Sequence, residues 1–96
     1  MSFRKPTPNE LLITAFRAGD WSAYALIMKE YQLLVNKAAY VFTRDEQEGY
    51  DLAMKAFIHF WNNRKTVHPN TLLGTYFCQL VYQIAKREKY NLLTDN

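Results

Sequence analysis

Between residues 21 and 42, apolar side chains recur every three or four positions, a spacing that aligns them along one face of an α-helix. This stripe contains Trp21, Tyr24, Ile27, Met28, Tyr31, Leu34, Val35, Ala38 and Phe42. The 96 residues include only three glycines and three prolines, too few turn-forming residues for a fold of four or more strands. We therefore predict an all-α fold, a compact bundle of about four helices.

The N-terminal part of the chain carries the signals of a short first helix. Thr7, Pro8 and Glu10 fit the N-cap, N1 and N3 positions of a capping box, in which side chains and backbone satisfy one another. Gly19 accepts the left-handed conformation that ends many helices, and Asp20 is a good N-cap for the next helix. The sequence thus predicts one helix from Pro8 to Gly19 and a second helix after Asp20.

A third helix is predicted to begin at Thr43, because Thr43 and Glu46 repeat the capping-box pattern. We expect it to end between Asn62 and Arg64. Its predicted apolar stripe contains Tyr50, Ala53, Met54, Phe57, Ile58 and Trp61.

A loop is predicted over residues 63–71, which show no apolar periodicity. A fourth helix follows, capped by Asn70 or Thr71 and continuing to about Leu92. Its predicted apolar stripe contains Leu72, Leu73, Tyr76, Phe77, Leu80, Val81 and Ile84, and its polar side carries Gln79, Gln83, Lys86 and Tyr90.

Composition and length predict one ordered domain over residues 1–96. Hydrophobic residues make up 49% of the chain, which is too apolar for a disordered protein. A chain this short cannot support two cores. The predicted core contains Trp21, Ile27, Met28, Tyr31, Leu34, Val35, Phe57, Trp61, Phe77, Leu80 and Ile84.

Sites for catalysis, cofactors or metals are not predicted. Cys78 is the single cysteine, and His59 and His68 lack the spacing that would bring two imidazoles and a carboxylate onto one metal ion. The chain has no glycine-rich phosphate loop and no nucleophile elbow. It also has no leader pattern and no apolar run of about 18 residues. We expect a cytoplasmic protein that is neither an enzyme nor a membrane protein.

Charge is divided along the sequence. Residues 43–61 hold four acids, namely Asp45, Glu46, Glu48 and Asp51. Residues 62–92 are basic, with Arg64, Lys65, Lys86, Arg87 and Lys89 against Glu88. An acidic surface suits a basic protein partner, and a basic surface with flanking aromatic residues suits single-stranded nucleic acid.

Three stretches, read together, resemble a known family. They are FRAGDWSAY at residues 16–24, DLAMKAFIHFW at residues 51–61 and TYFCQLVYQIAK at residues 75–86. In order and spacing they are similar to the second conserved region of bacterial sigma factors of the extracytoplasmic-function type. The resemblance covers residues 11–92 and implies a helical transcription-initiation domain.

The resemblance implies two binding surfaces. One docks on the clamp helices of the largest subunit of RNA polymerase and corresponds to Glu48, Asp51, Met54 and Lys55, where Met54 replaces the family's glutamine and Lys55 replaces an acid. The other faces the minus-ten element of promoter DNA. It corresponds to Arg64, Lys65, Tyr76, Gln79, Gln83, Lys86 and Arg87, with Gln79 and Gln83 at the family's arginine and asparagine positions.

A different class of function fits the same residues. The chain is alternatively a DNA-independent negative effector or partner subunit that binds a sigma factor, an anti-sigma factor or polymerase. A complete sigma factor also carries a helix-turn-helix domain, which residues 1–96 lack. We therefore expect a shortened chain, a subunit whose partner supplies that domain, or a regulator that copies the fold. In the simplest alternative, the basic residues only solvate the surface and the aromatic residues only fill the core.

Overall fold

The computed structural model describes residues 4–88 and confirms the all-α prediction over that range. The α-helices are α1 (Pro8–Arg17), α2 (Trp21–Thr43), α3 (Glu46–Asn62) and α4 (Leu73–Arg87), and a short 3₁₀ turn at Arg64–Thr66 lies between α3 and α4. Helix α2 packs on α1, α3 and α4, and α3 also packs on α4. In residues 4–88 no helix has the length and apolar character needed to span a bilayer.

Both ends of α1 follow the predicted chemistry. The N–H of Glu10 donates to the Thr7 hydroxyl at 3.0 Å, and the N–H of Thr7 donates to the Glu10 carboxylate at 2.8 Å. At the other end, Gly19 adopts a φ of +92°, and its N–H donates to the carbonyl of Phe16. The N–H of Asp20 donates to the carbonyl of Ala15, which completes a Schellman motif.

Helix α2 buries a row of residues spaced by four. The row contains Ala23, Ile27, Tyr31, Val35, Ala39 and Thr43, all of which are buried except the half-buried Tyr31. Because four residues exceed one helical turn, the row winds about 40° around the helix at each step. The straight stripe predicted from sequence is therefore wrong at Trp21, which is 61% exposed, and at Leu34, which is 38% exposed.

The start of α3 differs from the predicted capping box. Asp45 is the N-cap, and its carboxylate accepts a hydrogen bond from the N–H of Glu48 at 2.8 Å. Thr43 instead ends α2, where its buried hydroxyl donates to the carbonyl of Ala39. Arg44 separates the two helices in a left-handed conformation with φ 55°. Helix α3 therefore begins two residues later than the Thr43 and Glu46 pattern predicts.

The buried face of α3 is also rotated from the predicted stripe. Tyr50, Met54 and Ile58 are exposed, while Ala53 and Phe57 are buried as predicted. The buried residues are Gly49, Leu52, Ala53, Ala56, Phe57 and Phe60. Two small residues, Gly49 and Ala53, allow α3 to approach α2 closely, which turns the larger side chains at 50, 54 and 58 outward.

Helix α4 begins at Leu73 after Leu72, and no side chain caps it. The prediction that Asn70 or Thr71 serves as N-cap is therefore wrong. The predicted continuation to Leu92 falls on residues outside the described range. Six residues of α4 are buried, namely Leu73, Phe77, Leu80, Val81, Ile84 and Ala85.

Aromatic rings from three helices form the centre of the core. The ring of Phe60 stacks on that of Phe16, with centroids 4.1 Å apart, and meets that of Phe77 edge-on at 4.7 Å. The core prediction is confirmed for Ile27, Val35, Phe57, Phe77, Leu80 and Ile84, which are buried, while Met28, Tyr31 and Trp61 pack at its edge.

Candidate partner and nucleic-acid surfaces

The predicted protein-binding residues of α3 lie in two places. Lys55 forms an ion pair with Asp51 at 3.4 Å, one helical turn away, and with Glu88 at the end of α4 at 2.6 Å. Glu48 is exposed on the same helix, one turn before Asp51. Lys55 thus links α3 to α4, and its charge is balanced by two carboxylates within the fold.

Met54 faces a different side of α3, toward α2. It lines a groove between α2 and α3 with Met28, Gln32, Asn36 and Tyr50. The groove continues toward the C-terminal end of α2, where Tyr40, Val41 and Glu46 line it. This groove was not predicted from the sequence, because the apolar spacing places Tyr50 and Met54 on the core stripe. The two small residues Gly49 and Ala53 were the signal that the buried face lies one residue away.

Arg64, predicted to contact DNA, packs against the fold. Its guanidinium lies 4.3 Å from the centre of the Trp61 ring and donates to the Trp61 carbonyl at 3.1 Å. Its side chain also lies beside Gly19, where a Cβ would be 3.8 Å from the Arg64 Nε and Nη2 atoms, an ordinary contact. Arg64 is therefore half-buried, and it connects the end of α3 to the turn after α1.

Lys65 is exposed on the 3₁₀ turn next to Arg64. With Asn62, Asn63 and Thr66 it lines a shallow polar recess. Within this turn the hydroxyl of Thr66 donates to the carbonyl of Asn63 at 2.7 Å. The following residue, Val67, is buried, and its carbonyl accepts a hydrogen bond from the Arg17 guanidinium of α1. These contacts hold Lys65 in a defined loop.

The outer face of α4 presents the predicted polar row. Gln79, Gln83 and Lys86 are all exposed and lie within two turns of one another on the same side of the helix. Tyr82 stands beside them, 45% exposed, and the Lys86 ammonium lies 5.9 Å from the centre of its ring. The ring of Tyr82 also packs on that of Phe42 of α2, with the ring centroids 5.5 Å apart.

Arg87 and Tyr76 occupy the flank of α4 that faces α3. Arg87 is exposed and borders a shallow depression with Ile58 and His59. Tyr76 is half-buried, with its ring 5.6 Å from that of Phe60, and burial raises the pKa of its hydroxyl. Tyr76 thus belongs mainly to the core, and Tyr82 is the more exposed aromatic residue of α4. Lys89 and Tyr90 lie outside the described residues.

The described residues contain no group of three His, Cys, Asp or Glu side chains that could hold a metal ion. Cys78 is exposed. Comparison with protein-family models, with curated protein sequences and with solved structures finds no match to this chain.

Proposed function

We propose that this chain is a transcription-initiation module of the sigma region 2 type, which docks on RNA polymerase through α3 and contacts the minus-ten strand of promoter DNA through α4. The observation that supports it best is the outer face of α4, where Gln79, Gln83 and Lys86 stand beside the exposed ring of Tyr82. Amide groups can hydrogen-bond base edges, an ammonium attracts phosphate, and an exposed ring can stack on an unpaired base.

The division of charge supports the same proposal. The acids of α3, including Glu48 and Asp51, lie near its N-terminal end, while the cations Lys86 and Arg87 lie at the C-terminal end of α4. A basic partner surface would be attracted to the acids and a DNA backbone to the cations, on adjoining parts of the surface, because Lys55 pairs with both Asp51 and Glu88. The module would act in the cytoplasm with polymerase and promoter DNA, and it involves no catalytic step, cofactor or membrane.

A second candidate function is a partner subunit or negative effector that binds polymerase, a sigma factor or an anti-sigma factor without DNA. The placement of Arg64 and Tyr76 favours it, because both are engaged in packing and supply less contact to DNA than the sequence predicted. The charge of Lys55, balanced by Asp51 and Glu88, also departs from the acidic docking surface that the resemblance implies.

A salt titration with a single-stranded minus-ten oligonucleotide, run with and without polymerase core, tests the proposal. We expect measurable binding with polymerase present, and an affinity that falls with added salt by about 0.7 units of log-log slope per phosphate contacted. An oligonucleotide of the same length and shuffled sequence serves as control. If the oligonucleotide does not bind either with or without polymerase, the DNA-independent function is favoured instead.

The docking surface is tested separately by Asp51→Lys. We expect this reversal to weaken binding to polymerase core, because it opposes a basic partner surface. Glu30→Lys, the same change of charge at an exposed position of α2, is the matched control for a general charge effect. Circular dichroism of each variant verifies the fold, since Asp51 also pairs with Lys55. Unchanged polymerase binding by the Asp51 variant would show that α3 is not the docking surface.

A further inference from the structure

The outer face of α2 is apolar and uncovered. Leu26 is 57% exposed, Leu33 66%, Leu34 38% and Val41 56%. Helical geometry places these side chains on one surface about 100° wide, with Leu34 at its edge beside Gly74 of α4. Monomeric proteins rarely leave several large aliphatic side chains adjacent on one exposed helical face. The outer face of α2 therefore has the composition of a contact surface.

Two exposed charges lie within this apolar surface. Glu30 stands between Leu26 and Leu34, and Lys37 stands between Leu33 and Val41, each within one or two turns of its neighbours. Neither Glu30 nor Lys37 forms an ion pair with another residue in the range 4–88. Seven residues of helix separate the two charges by about 10 Å, too far for them to pair with each other.

These residues are arranged symmetrically about the point midway between Leu33 and Leu34. Glu30 lies three residues before Leu33, and Lys37 lies three residues after Leu34. Leu26 lies seven residues before Leu33, and Val41 lies seven residues after Leu34. In an antiparallel pair of identical helices related by a twofold axis through that point, positions equally distant from it face each other across the interface.

We propose that the outer face of α2 binds a second copy of this chain, with the two α2 helices antiparallel and the twofold axis between Leu33 and Leu34. Leu33 then meets Leu34 of the other copy, and Leu26 meets Val41 of the other copy. Glu30 faces Lys37 of the other copy on both sides of the axis. The surface is thus self-complementary, because apolar side chains meet apolar side chains and each carboxylate meets an ammonium group.

This contact differs from the surfaces of the proposed function. The contact is formed by residues of α2 alone and includes neither the polar row of α4 nor the Asp51 region of α3. The span from residue 26 to residue 41 is about 24 Å long, which places the interface at the small end of specific contacts. We therefore expect an equilibrium between monomer and dimer that depends on protein concentration.

Sedimentation equilibrium of the full chain from about 1 µM to about 1 mM tests the dimer. A single species with the mass of one chain throughout this range would overturn the proposal. Leu33→Glu should remove the dimer, because it places two carboxylates at the centre of the contact. Leu11→Glu, at a leucine of α1 that is 57% exposed, should leave it unchanged. Circular dichroism of both variants verifies the fold.

Charge exchange tests the twofold geometry itself. Glu30→Lys alone places Lys opposite Lys at both sites, and Lys37→Glu alone places Glu opposite Glu, so each variant should weaken the dimer by about tenfold or more. An equimolar mixture of the two variants restores opposite charges at both sites and should form a heterodimer. The double variant should form a homodimer again. Failure of both the mixture and the double variant to recover association would rule out this arrangement.

Discussion

The hydroxyl of Tyr24 in α2 donates a hydrogen bond to the backbone carbonyl of Phe57 in α3 at 2.6 Å, deep in the core. Burial raises the pKa of this hydroxyl, so the group stays protonated and remains a donor. The bond joins positions 33 residues apart and sets the register of α2 against α3.

Replacing Tyr24 with Phe removes this bond and leaves the ring in place. We expect the free energy of unfolding to fall by about 0.5–1.5 kcal/mol, the usual net contribution of one buried hydrogen bond. Tyr50→Phe, at a tyrosine that is 60% exposed, is the matched control and should change stability by less than about 0.5 kcal/mol. Urea denaturation measures both values. An equal loss in the two variants would contradict a specific role for the Tyr24 hydroxyl.

Phe60 and Ile58 are two residues apart on α3 but differ in burial, with Phe60 fully buried and Ile58 53% exposed. Phe60→Ala should lower the free energy of unfolding by about 3–5 kcal/mol, because it leaves a cavity between the rings of Phe16 and Phe77. Ile58→Ala should cost less than about 0.5 kcal/mol. Chemical denaturation followed by tryptophan fluorescence measures both, and a reversed order would mean that the buried face of α3 is the predicted stripe after all.

Gly19 and Gly74 should respond to alanine in opposite directions. Gly19 adopts a φ of +92°, which costs an L-residue about 1–2 kcal/mol, so Gly19→Ala should destabilise the protein by about that amount. Gly74 lies inside α4, and a Cβ there would make ordinary contacts with Leu34 and Tyr31 at 3.6 and 3.9 Å. Gly74→Ala should therefore stabilise the protein by about 0.4–1 kcal/mol. Thermal unfolding of the two variants checks the opposite signs.

Glu10 makes the stability of α1 depend on pH. Its carboxylate accepts hydrogen bonds from the Arg4 guanidinium and from the backbone N–H of Thr7. These bonds, mainly the one from Arg4, lower the pKa of Glu10 from 4.5 to about 2. Because the folded-state pKa is the lower one, this stabilisation is fully present above the unfolded value and is lost as pH falls through the folded value. The difference in Tm between the wild type and Glu10→Gln should be constant above pH about 5 and shrink toward pH about 2. A difference that does not vary with pH would exclude this role.

Lys86 and Tyr82 should affect DNA binding differently under the proposed function. Lys86→Ala should lower the log-log salt slope by about 0.7, the value of one phosphate contact on a single strand. Tyr82→Ala should weaken binding by about 1–3 kcal/mol through lost stacking and leave the slope unchanged. Lys29→Ala, at an exposed lysine of α2, is the control for charge alone. Equal slope changes in the two lysine variants would indicate unspecific attraction.

Much of the candidate site was predictable, because polar residues with helical spacing on an amphipathic helix must share its exposed side. Gln79, Gln83 and Lys86 follow that rule and lie together on α4. Arg64 does not, since its place beside Gly19 and Trp61 depends on residues far away in the sequence that the fold brings to it. The α2–α3 groove was not predicted, although the small residues Gly49 and Ala53 indicate which face of α3 is buried.

Sequence by itself determined that the chain is helical and where α1 and α2 begin, because caps such as Thr7 with Glu10 and Asp20 act on backbone groups within one turn. Which side of each helix is buried was decided only by the tertiary structure. An amphipathic pattern with extra apolar residues, as at Trp21, Tyr50 and Ile58, allows more than one buried face. The close approach of α2 and α3 at Gly49, where a Cβ would lie 3.2 Å from the Thr43 hydroxyl, selects one of them. Burial depends on which helices meet, and that is a property of the whole chain.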